Sequence, residues 1–321
     1  MFAVTAARQS PDDPLSGLEL GERPDPAPKE GWTTVRVRAA ALNHHDLWSL
    51  RGVGLPADRL PMVLGCDAAG VDEDGNEVIV HAVVGDPDWS GDETLDPRRS
   101  LLSERYDGTF AERVAVPRRN LVPKPPELTW EQAACLPTAW LTAYRMLFTN
   151  AGVQPGGTVL VQGAGGGVAT ALVVLARAAG LRVWVTSRDE AKRERARQLG
   201  AHDAFPTGAR LPDRVDAVLE TVGEATWAHS LRALRPGGRI VVSGATSGAN
   251  PPADLNRVFF LQLSVVGSTM GTRAELSRLA AFCVASGVRP LVDRVLPLTK
   301  AREGFAAMAA GELFGKVVFT V

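Results

Sequence analysis

Four glycines sit between a β-branched segment and an apolar one in the run Val159-Leu160-Val161-Gln162-Gly163-Ala164-Gly165-Gly166-Gly167-Val168-Ala169. Glycine lets the backbone turn tightly and approach a pyrophosphate with no Cβ in the way, and a helix N-terminus offers free N–H groups and the positive end of its dipole. Gly163, Gly165, Gly166, Gly167 and Val168 are therefore expected to hold the phosphates of a dinucleotide. The last glycine of the usual fingerprint is replaced by Ala169, a methyl that helix-on-strand packing tolerates. A turn that merely joins strand to helix is the competing reading.

The end of the next strand bears on which nucleotide. NAD sites usually place Asp or Glu there for the ribose 2′-hydroxyl. This chain has Ser187 and Arg188, with Lys192 and Arg193 one helical turn on. A hydroxyl, a planar fork and a point charge suit a 2′-phosphate, so Ser187, Arg188 and Lys192 favour NADP(H). Asp189 and Glu190 argue the other way unless they cap the helix Glu190–Leu199. A solvated basic helix face is the alternative.

The elements needed to position these groups are legible around them. An apolar helix over Ala169–Ala179, Gly180 as its cap and a buried strand at Arg182–Ser187 complete a strand–helix–strand unit in about 30 residues. Trp130–Asn150 reads as helical, and further strands are expected at Thr158–Gln162, Ala217–Glu220, Arg239–Ser243 and Ser264–Ser268. Residues 126–269 thus predict a Rossmann doubly wound parallel sheet, an α/β arrangement. Ligands lie at the carboxyl ends of such strands, which adds Thr221, Val222, Gly223, Gly244, Ala245, Thr246, Ser268 and Met270 to the expected nucleotide contacts. Before residue 125, short strands at Thr33–Ala39, Glu77–Val84 and Glu112–Val116 between proline-rich turns predict a small β barrel. The tail carries a helix Arg273–Ser286, a strand Leu291–Val295, a helix near Lys300–Ala310 and a strand Lys316–Val321, and is expected to return to the barrel.

The chain has 321 residues, 45% hydrophobic and 22% charged, enough for two globular domains. A formal net charge of -1 gives no pull toward nucleic acid or an anionic membrane, and no apolar run approaches the ~18 residues of a membrane span. Met1-Phe2-Ala3-Val4-Thr5 lacks the basic and long apolar parts of a secretory signal and reads as a first strand. Cys66, Cys135 and Cys283 form no paired framework, which suits a reducing compartment. A cytoplasmic enzyme acting on a small molecule is the expectation, with no nucleic-acid or membrane partner.

Several motifs besides the glycine turn carry a resemblance: Ala41-Leu42-Asn43-His44-His45-Asp46-Leu47, Leu64-Gly65-Cys66-Asp67-Ala68-Ala69-Gly70, Gly108-Thr109-Phe110-Ala111-Glu112 and Ala133-Ala134-Cys135-Leu136-Pro137-Thr138-Ala139-Trp140-Leu141-Thr142-Ala143. Glu220-Thr221-Val222-Gly223, Leu234-Arg235-Pro236-Gly237-Gly238 and Gly315-Lys316 add to it. End to end the chain resembles the medium-chain dehydrogenase/reductase superfamily, and more closely its zinc-free quinone-reductase-like members. The resemblance implies a GroES-like β-rich catalytic domain over 1–125 and 270–321, a Rossmann domain over 126–269, hydride transfer in the cleft between them, and a homodimer or tetramer.

The zinc-dependent branch of that superfamily carries Cys, His and Cys ligands, and its motifs match here to Asn43, to Cys66 and to a place close to Ala139. Catalytic zinc needs three protein ligands and an open position, so an amide, one thiol and a methyl imply a site without metal. The four cysteines of that branch's structural zinc lobe have no counterpart between Cys66 and Cys135. An improvised site of His44, His45, Asp67 and Cys66 is the alternative, although adjacent strand residues face opposite ways. His45 stands where the zinc branch has a proton-relaying hydroxyl, and an ordinary imidazole pKa suits an acid.

Without a Lewis acid, a developing oxyanion needs hydrogen-bond donors. Asn43, His45, Tyr106 and Thr142 are the catalytic candidates, and Thr142 is also expected against the nucleotide. Asn43 as a strand-end residue bonded to backbone, and Asp46 as a helix cap, are structural readings. Lys316 resembles the family's C-terminal lysine, a nucleotide contact or else a surface ion pair. Phe259-Phe260 resembles a hydrophobic loop near the nicotinamide, or else a subunit contact. The segment Asp86–Tyr106 reads as a lid, a subunit contact or a surface loop. The reading is an NADPH-dependent reductase of a quinone, enone or similar activated double bond, against a zinc alcohol dehydrogenase with displaced ligands or a non-catalytic NADPH-binding protein.

Overall fold

The computed structural model describes residues Met1–Val321 throughout. Contacts divide them into two compact units, Met1–Leu141 with Met270–Val321, and Thr142–Thr269. The first division falls inside the helical run Trp130–Ala151, not at residue 125. The strand Leu121–Pro123 still pairs with Glu77–Val80, and the helix Trp130–Ala134 packs on the strands Trp32–Ala41 and Asp67–Asp72, which draws these residues into the first unit. Pro137 has no N–H to donate, and the run widens into five-residue turns over Leu136–Trp140 and again over Arg145–Ala151.

The first unit is built around the long strand Trp32–Ala41. Thr33, Val35 and Val37 are buried while Arg36 and Arg38 face solvent, the period of a half-buried strand. It pairs antiparallel with Asp67–Asp72, Arg113–Pro117 and Lys316–Thr320. A register shift between Val37 and Ala39 breaks the alternation, and small Ala39, Ala40 and Ala41 are then buried in succession. Ala41 lies opposite Asp67 on one side and Val318 on the other. The chain beyond Ala41 is thereby aimed between Asp67 and Lys316.

Phe110, Phe305 and Phe319 close the core of this unit, with Phe110 edge-on to the other two at 6.0 and 5.2 Å. The segment Asp86–Tyr106 is an ordered lobe of the same unit. Val83–Val84 pairs with Ser100–Leu101 across it, buried Asp96 accepts the Asp86 and Arg98 amides, and Glu93 Oε1 accepts the Arg273 amide at the start of the helix Arg273–Ser286.

The second unit is a parallel sheet of six strands, ordered Asp203–Phe205, Arg182–Thr186, Thr158–Gln162, Val215–Glu220, Leu234–Val242 and Ser264–Gly267. The strand Asp203–Phe205 is absent from the sequence reading, since three residues carry no period. Strand order reverses direction between Thr158–Gln162 and Val215–Glu220, the switch point at which open α/β sheets take ligands. No helix in the chain is long and apolar enough to cross a membrane.

Candidate active site

The first unit gathers a buried polar cluster where the long strand ends. Asn43 keeps an extended backbone and precedes the helix His44–Leu50, whose third residue is Asp46. The Asp46 carboxylate accepts the Asn43 amide at 2.9 Å and the Gly65 amide at 3.0 Å, tying the helix start to the Leu64–Asp67 turn. Asp46 is therefore a structural cap, and burial pushes its pKa up to about 7, with the Asp67 charge adding to the rise and the Asn43 amide, Lys316 and the Gly65 amide opposing it. Gly65 has φ +98°, and a Cβ there would lie 2.6 Å from Phe110 and Thr109, so only glycine makes this turn.

Asp67 and Lys316 meet Asn43 from either side. Lys316 Nζ donates to Leu42 O at 2.7 Å, Asn43 Oδ1 at 2.5 Å and Asp67 Oδ2 at 3.3 Å. Asn43 Nδ2 donates to Asp67 Oδ2 at 2.8 Å and Ala41 O at 3.2 Å. All three side chains are buried. This corrects two expectations. Asn43 has both amide hydrogens engaged and presents no donor to an oxyanion, while Lys316 uses its three protons inside the protein instead of on a nucleotide or a surface carboxylate.

The other candidates lie as follows. His44 and His45 open a helix instead of sharing a strand. His44 is exposed, its ring 6.4 Å from that of Trp48. His45 is largely buried, its Nε2 lies 3.9 Å from Glu104 Oε1, and that nitrogen has no hydrogen-bond partner. Burial holds the His45 pKa below the ordinary imidazole value, opposed by the Glu104 and Asp67 charges. Tyr106 is set apart from this cluster: its ring meets Trp32 edge-on at 4.9 Å and lies under the Lys29 ammonium. Its phenol belongs to the barrel's packing. Thr142 is buried in the helical run, at the first residue of the second unit.

The positions matched to zinc ligands do not fit a divalent metal. Asn43 Oδ1 already accepts an ammonium, Ala139 has only a methyl, and the Cys66 thiol donates to Leu102 O at 3.2 Å. Burial first, and the Asp46 charge second, push the Cys66 pKa well up, so it is a thiol and not a thiolate. No three His, Cys, Asp or Glu side chains converge as a ligand set.

In the second unit, Gly163 turns the chain with φ +85°, and Gly166 caps the helix Gly167–Ala178 without any side chain. A Cβ at Gly166 would meet no atom within 4 Å, which leaves open space before the first helical N–H groups. Ser187 is buried and Arg188 exposed at the end of the strand Arg182–Thr186. Asp189 Oδ1 accepts the Lys192 amide at 3.1 Å, capping the next helix, and Arg193 turns to the Ser187 carbonyl at 2.8 Å. The loops holding Thr221, Val222 and Gly223 and holding Gly244, Ala245 and Thr246 are joined, since the Ser247 amide and hydroxyl both donate to Val222 O at 2.7 Å. Ser268 accepts from Asn150 Nδ2 at 2.9 Å, and Met270 belongs to the first unit, packed on Cys66, Ala82 and Val83. Phe259 and Phe260 are exposed.

Sequence reasoning missed the cluster of Lys316, Asp67 and Asn43. The signal available was parity: an antiparallel partner of Ala41 places Lys316 beside Asn43 once the register is known.

Residues 29–126 match the model of the alcohol dehydrogenase GroES-like domain, and residues 167–285 that of the zinc-binding dehydrogenase. The chain is 29% identical to an acryloyl-coenzyme A reductase of Sulfurisphaera tokodaii, over 95% of this chain and 97% of that protein. It is 30% identical to a zinc-type alcohol dehydrogenase-like protein of Schizosaccharomyces pombe, over 91% of each. A crystal structure of an NAD-dependent alcohol dehydrogenase superposes with a TM-score of 0.91 at 36% identity, covering 100% of both chains.

Proposed function

The chain belongs to the medium-chain dehydrogenase/reductase superfamily of oxidoreductases, and from that premise we propose that it is an NADPH-dependent reductase of activated double bonds working without catalytic zinc. The substrate class is an enone, a quinone or an enoyl thioester. The observation that carries the reading is the Lys316 ammonium bonded to Leu42, Asn43 and Asp67, a fixed cation where the zinc branch assembles its ligands. A second positive charge there would be repelled, and the donors it needs are taken. The acryloyl-coenzyme A reductase relative supports conjugate reduction.

When bound, the reduced nicotinamide supplies a hydride. Charge then grows on the substrate's carbonyl oxygen, and His45 is the group of this chain suited to meet it. Burial disfavours its charged form, and its Nε2, buried 3.9 Å from Glu104 Oε1 and without a hydrogen-bond partner in the protein, is the atom offered to the substrate oxygen. Water then protonates the α-carbon, completing addition of hydride and proton across the double bond. Preference for NADPH rests on Ser187, Arg188 and Lys192, with Asp189 turned to its own helix. Arg188→Ala is expected to raise the Kd for NADPH at least about tenfold and leave that for NADH nearly unchanged; equal effects on both remove the 2′-phosphate assignment.

The decisive test pairs metal analysis of the purified protein with nucleotide oxidation over enones, quinones, enoyl thioesters and aldehydes. Stoichiometric zinc, or turnover of aldehydes alone that a chelator abolishes, overturns the proposal. That outcome is the zinc alcohol dehydrogenase reading, which the 30% identical zinc-type relative favours by name.

A further inference from the structure

Beneath the switch point of the parallel sheet lies a chain of buried polar side chains that ends directly behind three of the expected nucleotide-binding turns and bonds to one of them. Thr186 Oγ1 donates to Gln162 Oε1. Gln162 Nε2 donates to Ser230 Oγ at 2.9 Å and His229 Nδ1 at 3.0 Å, and Ser230 Oγ donates to Glu220 Oε2 at 2.6 Å. His229 Nε2 donates to Ala209 O at 2.8 Å, which leaves Nδ1 as the acceptor and fixes the Gln162 amide in one orientation. Glu220 Oε1 in turn accepts the Val222 amide at 2.8 Å, the Gly223 amide at 3.1 Å and the Thr226 hydroxyl at 2.9 Å. Gln162, Thr186, Glu220 and Ser230 have no exposed surface.

Three of these residues close a strand, and each is followed at once by a residue of the nucleotide site: Gln162 by Gly163, Thr186 by Ser187, Glu220 by Thr221. Ser230 and Thr226 share one face of the helix Glu224–Ala233, so the helix bridges the strands from below. A carboxylate buried without any cationic partner is costly, and apolar residues would fill the same space more favourably if packing were all that was required. Resting on the nucleotide reading above, we propose that Thr186, Gln162, Ser230 and Glu220 are positioning residues. As one hydrogen-bonded unit they hold the glycine turn, the 2′-phosphate end and the Thr221–Gly223 loop in mutual register for the dinucleotide. The Thr186 hydroxyl, the two Gln162 amide hydrogens and the Ser230 hydroxyl each have one acceptor, so the three strand ends move together.

Nucleotide titration of the full chain by fluorescence, alongside thermal unfolding, tests this. Gln162→Leu, which cuts the unit at its centre, is expected to raise Kd for both NADPH and NADH roughly tenfold, with the loss falling on KM and not on kcat. Thr186→Val deletes one hydroxyl at constant shape next to Ser187 and is expected to weaken NADPH more than NADH. Ser230→Ala, nearer Glu220, is expected to weaken both alike. If Gln162→Leu fails to fold, the two hydroxyl deletions carry the comparison. Variants that lose thermal stability but keep wild-type affinities and selectivity refute the positioning role. Failure of the unsubstituted chain to bind either nucleotide overturns the nucleotide reading, and this role with it.

Discussion

Replacing Lys316 by methionine keeps an unbranched side chain of similar length and removes only the ammonium. Leu42 O, Asn43 Oδ1 and Asp67 Oδ2, now at 2.7, 2.5 and 3.3 Å from Nζ, then lose a donor, and Asp67 keeps a charge with no counter-ion. Removing one partner of a buried pair costs about 3–5 kcal/mol, and a stranded neutral acceptor about 1–3 kcal/mol, although neighbouring terms do not add. A loss of roughly 4 kcal/mol from the first unit follows, or a Tm about 8–16 °C lower at ~2–4 °C per kcal/mol. Two units need not unfold together, so a local readout is preferable to a single global Tm. Hydrogen exchange at the Leu42 amide, which is bonded to Val317 O, reports on the strand pairing that the cluster pins. Adding Asp67→Asn to Lys316→Met removes the stranded charge and is expected to recover about 2 kcal/mol. If Lys316→Met lies within about 1 kcal/mol of wild type, or the double variant is no better than the single one, the ammonium is not what holds this site together.

Gly166→Ala separates fold from function, because the backbone at φ -72°, ψ 160° suits alanine and its Cβ meets no protein atom; stability is expected within about 0.5 kcal/mol of wild type and nucleotide Kd at least about tenfold higher, measured by titration. His45→Gln is expected to lower kcat about a hundredfold with nucleotide Kd unchanged in steady-state and binding assays, and an unaltered kcat removes His45 from the mechanism. Asp46 has a folded pKa of about 7 against an ordinary 3.8, so the folded state binds the extra proton between those values. Its contribution is fully present below pH 3.8, declines as pH rises to about 7 by on the order of 4 kcal/mol, and is flat above. Denaturant titrations of Asp46→Asn and wild type from pH 4 to 8 are expected to diverge as pH rises through that window, wild type losing stability that the neutral Asn variant keeps, and a difference that does not vary with pH contradicts the assignment.

The second unit was the more legible half. Its strands are continuous β-branched runs, its turn glycines and helix caps are local signals, and Asp189 was recognisable as a cap from its place before Glu190–Leu199. The short strand Asp203–Phe205 escaped because pairing with Arg182–Thr186, not its own sequence, makes it a strand. In the first unit the strands near Thr33–Ala39, Glu77–Val84 and Glu112–Val116 were found without their partners, and the strands Leu18–Glu22 and Asp67–Asp72 and the helix His44–Leu50 were missed. His44 and His45 were assigned to a strand, and Asn43 to an open donor, because the helix His44–Leu50 depends on a capping carboxylate whose second bond is to Gly65.

Residue types and spacing alone determined that this chain has a glycine-lined helix start and a basic end on the following strand. Those are properties of a few neighbouring residues, and local backbone chemistry suffices to read them. Only the tertiary structure decided what Asn43, Asp67, Lys316, Gln162 and Glu220 do. Asn43, Asp67, Lys316 and Gln162 depend on partners tens to hundreds of residues away, as with Lys316 and Asn43, brought together by strand register, and Glu220 on the helix folded back beneath its strand. A buried polar side chain must be satisfied by whatever the fold sets beside it, and that neighbour is fixed by pairing across the sheet, which no local pattern encodes.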